Sequence, residues 1–136
     1  MTRGRRPTKA LTEAVEIAGK RGSVENVAGR RGRAFDFLII EPFRVVFVKV
    51  KRSHTSFTYP LEALSKYERE IASLNRVALT RITAREFWVR SPAGEWQYFL
   101  VRHDSVIEVR ADGTYIPREV LPLESASPAG STTNGE

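Results

Sequence analysis

Hydrophobic and polar residues alternate most clearly between Asp36 and Arg52, which read DFLIIEPFRVVFVKVKR. Two short apolar runs, Phe37–Ile40 and Val45–Val50, flank Glu41-Pro42-Phe43-Arg44, which predicts a strand, a tight turn and a second strand. Side chains two apart on a strand share a face, so Lys49 and Lys51 project together while Val46, Val48 and Val50 project the other way. Lysines set between valines need a reason, and that reason bears on function.

Upstream, Leu11, Ala14, Val15 and Ala18 recur at helical spacing in an element that begins at Thr8. Gly19 and Gly22 end it, and Lys20 and Arg21 suit the negative end of the helix dipole. Glu13 and Glu16 flank the apolar stripe, and Glu16 is expected on the helix surface. Residues 23–28 predict a short strand. Downstream, Pro60 opens a helix in which Leu61, Leu64, Tyr67 or Glu68, Ile71 and Leu74 keep helical register to about Asn75, with Lys66, Arg69 and Glu70 outside. Glu86–Arg90 and Glu95–Val101 predict an aromatic hairpin around Ser91-Pro92-Ala93-Gly94, with its aromatic rings in the core. Ser105–Arg110 and Thr114–Ile116 predict a second hairpin turning at Asp112-Gly113.

This order predicts one α/β domain over residues 8–122, a small mixed sheet flanked by two helices. Residues 1–7 form an expected flexible basic arm. Residues 123–136, rich in Pro, Ser, Gly and Thr, are expected as a disordered tail. The length of 136 residues and a hydrophobic content of 41% suit one modest core. No run approaches the roughly 18 apolar residues of a membrane span. No apolar segment follows the basic N-terminus as it would in a secretory signal. A cytoplasmic protein without a membrane partner is the expectation. The chain has no cysteine, which excludes disulfides and thiolate metal sites.

Charge changes the picture. The net charge is +6, and it is uneven. Residues 1–52 hold 13 Lys or Arg against 5 Asp or Glu, a net +8, while residues 53–136 hold 9 against 11, a net −2. A localised basic excess favours a polyanionic partner, nucleic acid being the commonest. Within it lies Gly29-Arg30-Arg31-Gly32-Arg33, where glycines allow close backbone approach and guanidinium forks match phosphate oxygens. Arg30, Arg31, Arg33, Lys49, Lys51 and Arg52 are the candidate phosphate contacts. His54 reads as a surface residue, and the neighbours His103 and Asp104 are too poorly disposed for a shared metal or a proton relay. Zincin, Walker A, dinucleotide-binding and nucleophile-elbow patterns are absent.

Helix, strand, a strand entered by Asp36, a strand ending in Val50-Lys51, then helix and strand: this order resembles the PD-(D/E)XK nuclease superfamily, in particular its archaeal Holliday-junction resolvase type. The resemblance covers about residues 8 to 90. In that family an Asp at a strand start binds metal, the next strand carries an acid or Gln, one spacer and a Lys, and an upstream helix often adds a Glu. Asp36, the spacer Val50, Lys51 and Glu13 match those places, with Phe35 where the family often has Pro. The resemblance implies a restriction-endonuclease-like fold, a DNA partner, duplex or branched, and a homodimer.

The departure from the pattern is Lys49, which stands at the acidic position. An active site of this kind needs two carboxylates to hold Mg²⁺, a cation that prefers oxygen ligands. Lysine cannot serve while protonated. Glu41 cannot replace it, because five extended steps of about 3.3 Å put it roughly 16 Å from Asp36. The expectation is therefore DNA binding by a nuclease-like fold whose catalytic set, Asp36, Lys49, Lys51 and Glu13, is altered, with Asp36 and Glu13 as the residues left to hold a metal. One alternative is an active metal-dependent endonuclease using Asp36, Lys51 and Glu13. Another, from a different class, is a protein-interaction subunit that presents the Trp88/Trp96 hairpin.

Overall fold

The computed structural model describes residues 8–26, 34–54, 57 and 60–117, so the basic arm, the tail and the arginine-rich loop lie outside the described residues. The described chain is an α/β unit built on one six-stranded mixed sheet. Its elements are α1 (Thr8–Ala18), β1 (Ser23–Asn26), β2 (Phe37–Ile40), β3 (Val45–Arg52), α2 (Pro60–Lys66), α3 (Glu68–Leu74), β4 (Thr83–Arg90), β5 (Trp96–Val101) and β6 (Val106–Val109). The strands lie in sequence order, antiparallel except for the central pair β3 and β4, which run parallel. A parallel pair needs a crossover, and α2 and α3 supply it.

Alternation decides the two faces. Phe37, Ile39, Val46, Val48, Val50, Ala84 and Trp88 pack with Ala10, Ala14 and Ala18 of α1. Phe87, Val89, Phe99 and Val101 pack with Ala63, Tyr67, Ile71 and Leu74 of α2 and α3. β4 is covered on both faces and is buried from Ala84 to Val89. Paired parallel strands are usually sandwiched in this way. Among the described residues, no helix is long and apolar enough to cross a membrane.

Several expectations change in detail. The buried stripe of α1 is Ala10, Ala14 and Ala18, with Leu11, Val15 and Ile17 only partly covered. Small side chains let this helix lie close against the strands. The predicted helix from Pro60 to Asn75 is two helices, so three helices flank the sheet. Tyr67 interrupts it with φ −111° and ψ 37°. Its buried ring meets Phe87 at 5.2 Å and Phe57 at 5.9 Å. Burial of that ring accounts for the break. β4 starts at Thr83, three residues before the expected Glu86, because it pairs with β3 from Val45 onward, which places the charges of Arg85 and Glu86 inside the strand and buried. In the last predicted hairpin, Gly113 takes the expected positive φ of 87°, but the returning partner is a single bridge between Val109 and Tyr115. At the end of α1, a Cβ on Gly22 would collide with the Ile40 carbonyl, which is why glycine stands there.

Candidate nucleic-acid interface

The parallel strands β3 and β4 end side by side, with Arg52 in register with Arg90. Ligands of open α/β sheets favour the carboxyl ends of such strands. Asp36, Lys49, Lys51 and Glu13 gather at this end, on the two faces of the sheet. Asp36 enters β2 opposite the end of β3, and its amide donates to the Val48 carbonyl at 2.7 Å. Its carboxylate has two partners. Oδ2 accepts from the Val50 amide at 2.8 Å, and Oδ1 lies 3.8 Å from Lys49 Nζ. Asp36 therefore ties the first strand of the hairpin to the second.

Lys49 and Lys51 share the face that carries α2 and α3, opposite Val46, Val48 and Val50. Lys51 Nζ lies 3.3 Å from Glu70 Oε2, and its side chain keeps 40% of its surface exposed. Glu70 was expected on the outside of its helix. Instead it is half-buried beside Ile71, turned toward the sheet. The sequence signal was available but weak: Glu70 directly precedes the apolar position Ile71 and follows Tyr67 by one helical turn.

Arg52 is exposed and falls on the opposite face from Lys51, the face covered by α1. Next to it, Glu13 binds Arg90 through both oxygens, Nε to Oε1 at 2.8 Å and Nη2 to Oε2 at 3.2 Å. Trp96 Nε1 donates to the same Oε1 at 3.2 Å. The bond from Arg90 holds the Glu13 carboxyl below its usual range, although partial desolvation acts the other way. Glu13 and Asp36 thus have separate partners on separate faces. These residues do not fit a two-carboxylate cage for Mg²⁺: Asp36 carries a lysine beside it, and Glu13 is held by a guanidinium. Among the described residues, no three Asp, Glu or His side chains converge on a metal-sized site.

Arg30, Arg31 and Arg33 lie outside the described residues. The chain leaves the described part after Asn26, which pairs with Phe37, and re-enters at Ala34, two residues before Asp36. Both ends of that segment thus adjoin the Asp36 end of the hairpin. His54, His103 and Asp104 are exposed. Trp88, named in the protein-interaction alternative, is fully buried, and Trp96 is half-buried with its ring stacked on Tyr98. The outer surface of that hairpin therefore has Trp96 and not Trp88.

A second charged cluster sits under α1, and sequence reasoning did not find it. Arg21 was expected to serve the helix end. Instead it grips the buried Glu86, Nη1 to Oε1 at 2.9 Å and Nη2 to Oε2 at 3.0 Å, and donates from Nε to Glu41 at 2.8 Å. Arg44 joins Glu41 at 2.7 Å, and Trp88 Nε1 donates to Glu86 at 2.8 Å. Burial opposes the charge on Arg21, but its bonds to Glu86 and Glu41 outweigh this and raise its pKa. Burial beside Glu86 pushes the Tyr98 hydroxyl up to about 12, with Arg21 acting in the opposite direction. Gly113 leaves room for both guanidinium groups, since a Cβ there would lie 2.6 Å from Arg21 Nη2 and 2.8 Å from Arg44 Nη2.

No family model matches the chain, and no curated protein sequence matches it. Solved structures do. The chain is similar to Hjc of Archaeoglobus fulgidus, a Holliday junction resolvase from an archaeal hyperthermophile, with a TM-score of 0.50 and 16% sequence identity over 75% of this chain and 86% of that one. The likeness is one of fold: a mixed sheet with helices on it, of the nuclease-like kind.

Proposed function

We propose that this protein binds DNA, duplex or branched, at the carboxyl end of β3, using a nuclease-like fold whose catalytic site is altered. The observation that carries this reading is the Lys49–Asp36 contact of 3.8 Å. Where a nuclease of this kind would set two acids against a cation, this chain sets a cation against its one acid. Lysines at that place meet a phosphate directly, without a metal between.

Two further observations support it. Asp36 is bonded to the Val50 amide, which gives the carboxylate a structural task that needs no metal. Asn26 and Ala34, the described residues on either side of the arginine-rich segment in sequence, lie beside this same end of the sheet. Arg30, Arg31 and Arg33 would then add phosphate contacts to those of Lys49, Lys51 and Arg52. Hjc, the structural neighbour, is a Holliday junction resolvase, which makes a four-way junction the first branched substrate to try.

The test is fluorescence anisotropy with a labelled duplex and a labelled junction, titrated between about 50 and 200 mM salt. Each phosphate neutralised contributes a slope of about −0.9 in log affinity against log salt, so six contacts predict a slope of about −5. An affinity that ignores salt would sink the proposal. A parallel cleavage assay with Mg²⁺ or Mn²⁺ separates the active-enzyme alternative: strand scission lost in Asp36→Ala would assign hydrolysis to the site.

A further inference from the structure

We infer that Glu70 competes with DNA phosphate for Lys51, so that the free protein holds its binding lysines neutralised and the nucleic acid must displace a carboxylate to engage them. This rests on the DNA-binding reading above and adds a residue that sets the affinity of that site.

The geometry is specific. Lys51 projects from β3 toward the layer of α2 and α3, and Glu70 meets it from α3 with Oε2 3.3 Å from Nζ. Tyr67, Ile71 and Leu74 are buried and anchor α3 on the sheet, which fixes where Glu70 stands. The pair is accessible, with 40% of the Lys51 side chain and 24% of the Glu70 side chain exposed. It is also longer than the buried pair of Arg21 and Glu86, at 2.9 Å. A phosphate can reach Lys51 from solvent, but it then stands within a few ångströms of the Glu70 carboxylate.

Two like charges that close repel, and one ammonium must divide its attraction between them. The neighbouring lysine repeats the arrangement differently. Lys49 faces Asp36, whose other oxygen is bonded to the Val50 amide, so Asp36 is part of the hairpin frame. Glu70 reaches Lys51 from the end of a longer and more flexible side chain. Of the two acids, it is the one that can swing away when phosphate arrives.

The experiment compares DNA affinity at low salt for the full chain and for Glu70→Gln, Glu68→Gln, Lys51→Gln and the double variant Lys51→Gln/Glu70→Gln. Glu68 is exposed on the same helix and gives the same change in net charge. An exposed ion pair adds little to stability, so the variants fold, and far-UV circular dichroism verifies this. Glu70→Gln should bind about fivefold more tightly, the scale of one exposed ion pair. Glu68→Gln should gain less than about twofold, since it lies about 200° around the helix from Glu70 and is exposed. In the Lys51→Gln background the gain from Glu70→Gln should vanish. Equal gains from Glu68→Gln and Glu70→Gln, no gain from Glu70→Gln, or a gain that survives loss of Lys51 would each overturn the inference while leaving DNA binding standing. Failure of the unmodified protein to bind DNA would remove the DNA reading itself, and this inference with it.

Discussion

Two charged clusters occupy opposite faces of one sheet, and they use the same residue types to different ends. Under α1, the Arg21, Glu41, Glu86 and Arg44 cluster is made of close contacts, with the Arg21 and Glu86 side chains 4% and 0% exposed. At the end of β3, Lys49–Asp36 and Lys51–Glu70 stand at 3.8 and 3.3 Å with both lysines partly open to solvent. In the first cluster the buried Glu86 accepts from Arg21 and Trp88 as well as facing Arg44. The second holds its cations at longer distances, with Lys51 the more open of the two. Burial and donor count, more than the presence of charge, separate the two clusters.

The comparison breaks most visibly at Glu86. Removing one partner of a buried pair leaves the other charge uncompensated, at a cost of about 3–5 kcal/mol. Glu86→Ala should therefore lower the unfolding free energy measured in urea by that amount, while the protein that stays folded keeps the proposed DNA binding. If Glu86→Ala were as stable as the parent, the buried cluster would be misread.

The lysine end should behave in the opposite way. Lys49→Gln with Lys51→Gln should cost less than Glu86→Ala, about 1 kcal/mol for each of two long, partly open pairs. The same double variant should flatten the salt dependence of DNA binding by about 2 in slope, one for each lost phosphate contact. A large loss of stability with unchanged DNA binding would reverse the roles of the two clusters. Lys49→Glu sharpens the contrast further, because it restores an acid opposite Asp36. It should gain thermal stability from Mn²⁺, by about 1.4 kcal/mol at ten times the dissociation constant. No Mn²⁺-dependent shift would count against the assignment of position 49.

The smallest effect concerns pH. Burial raises the Glu41 pKa, but the bonds from Arg44 and Arg21 win and hold it below its ordinary 4.5. A carboxyl whose folded pKa is depressed contributes stability that is complete above the ordinary value and is lost as pH falls through the lower folded value. Glu41→Gln should thus flatten the fall of stability on acidification below about pH 4.5, as read from urea midpoints across an acid series.

Local pattern explains what was legible. Alternation in Phe37–Ile40 and Val45–Val50 is a property of neighbours in sequence, and the hairpin appears in the structure with Ile40 opposite Val45. The aromatic hairpin from Glu86 to Val101 is likewise present, with Trp88 opposite Tyr98. The α/β fold, a mixed sheet with helices on it, followed from the order of these elements. Glu70 and Arg90 were not legible as partners of Lys51 and Glu13, because those pairs span the sheet and its helices.

By itself, then, the amino-acid sequence determined the strands, their faces, the turn at Gly113, the basic excess and the lysine at position 49. Each of these depends on residues within a few positions of one another. The tertiary structure alone decided that Arg85 and Glu86 are buried inside β4, that Arg21 leaves its helix end for Glu86, and that Glu13 turns to Arg90. The last two contacts join residues 65 and 77 positions apart. The arrival of Arg21, from the turn after α1, compensates the buried charge at position 86. Lys51 belongs to both accounts, since its strand fixes the direction in which it projects and the docking of α3 supplies Glu70 to meet it.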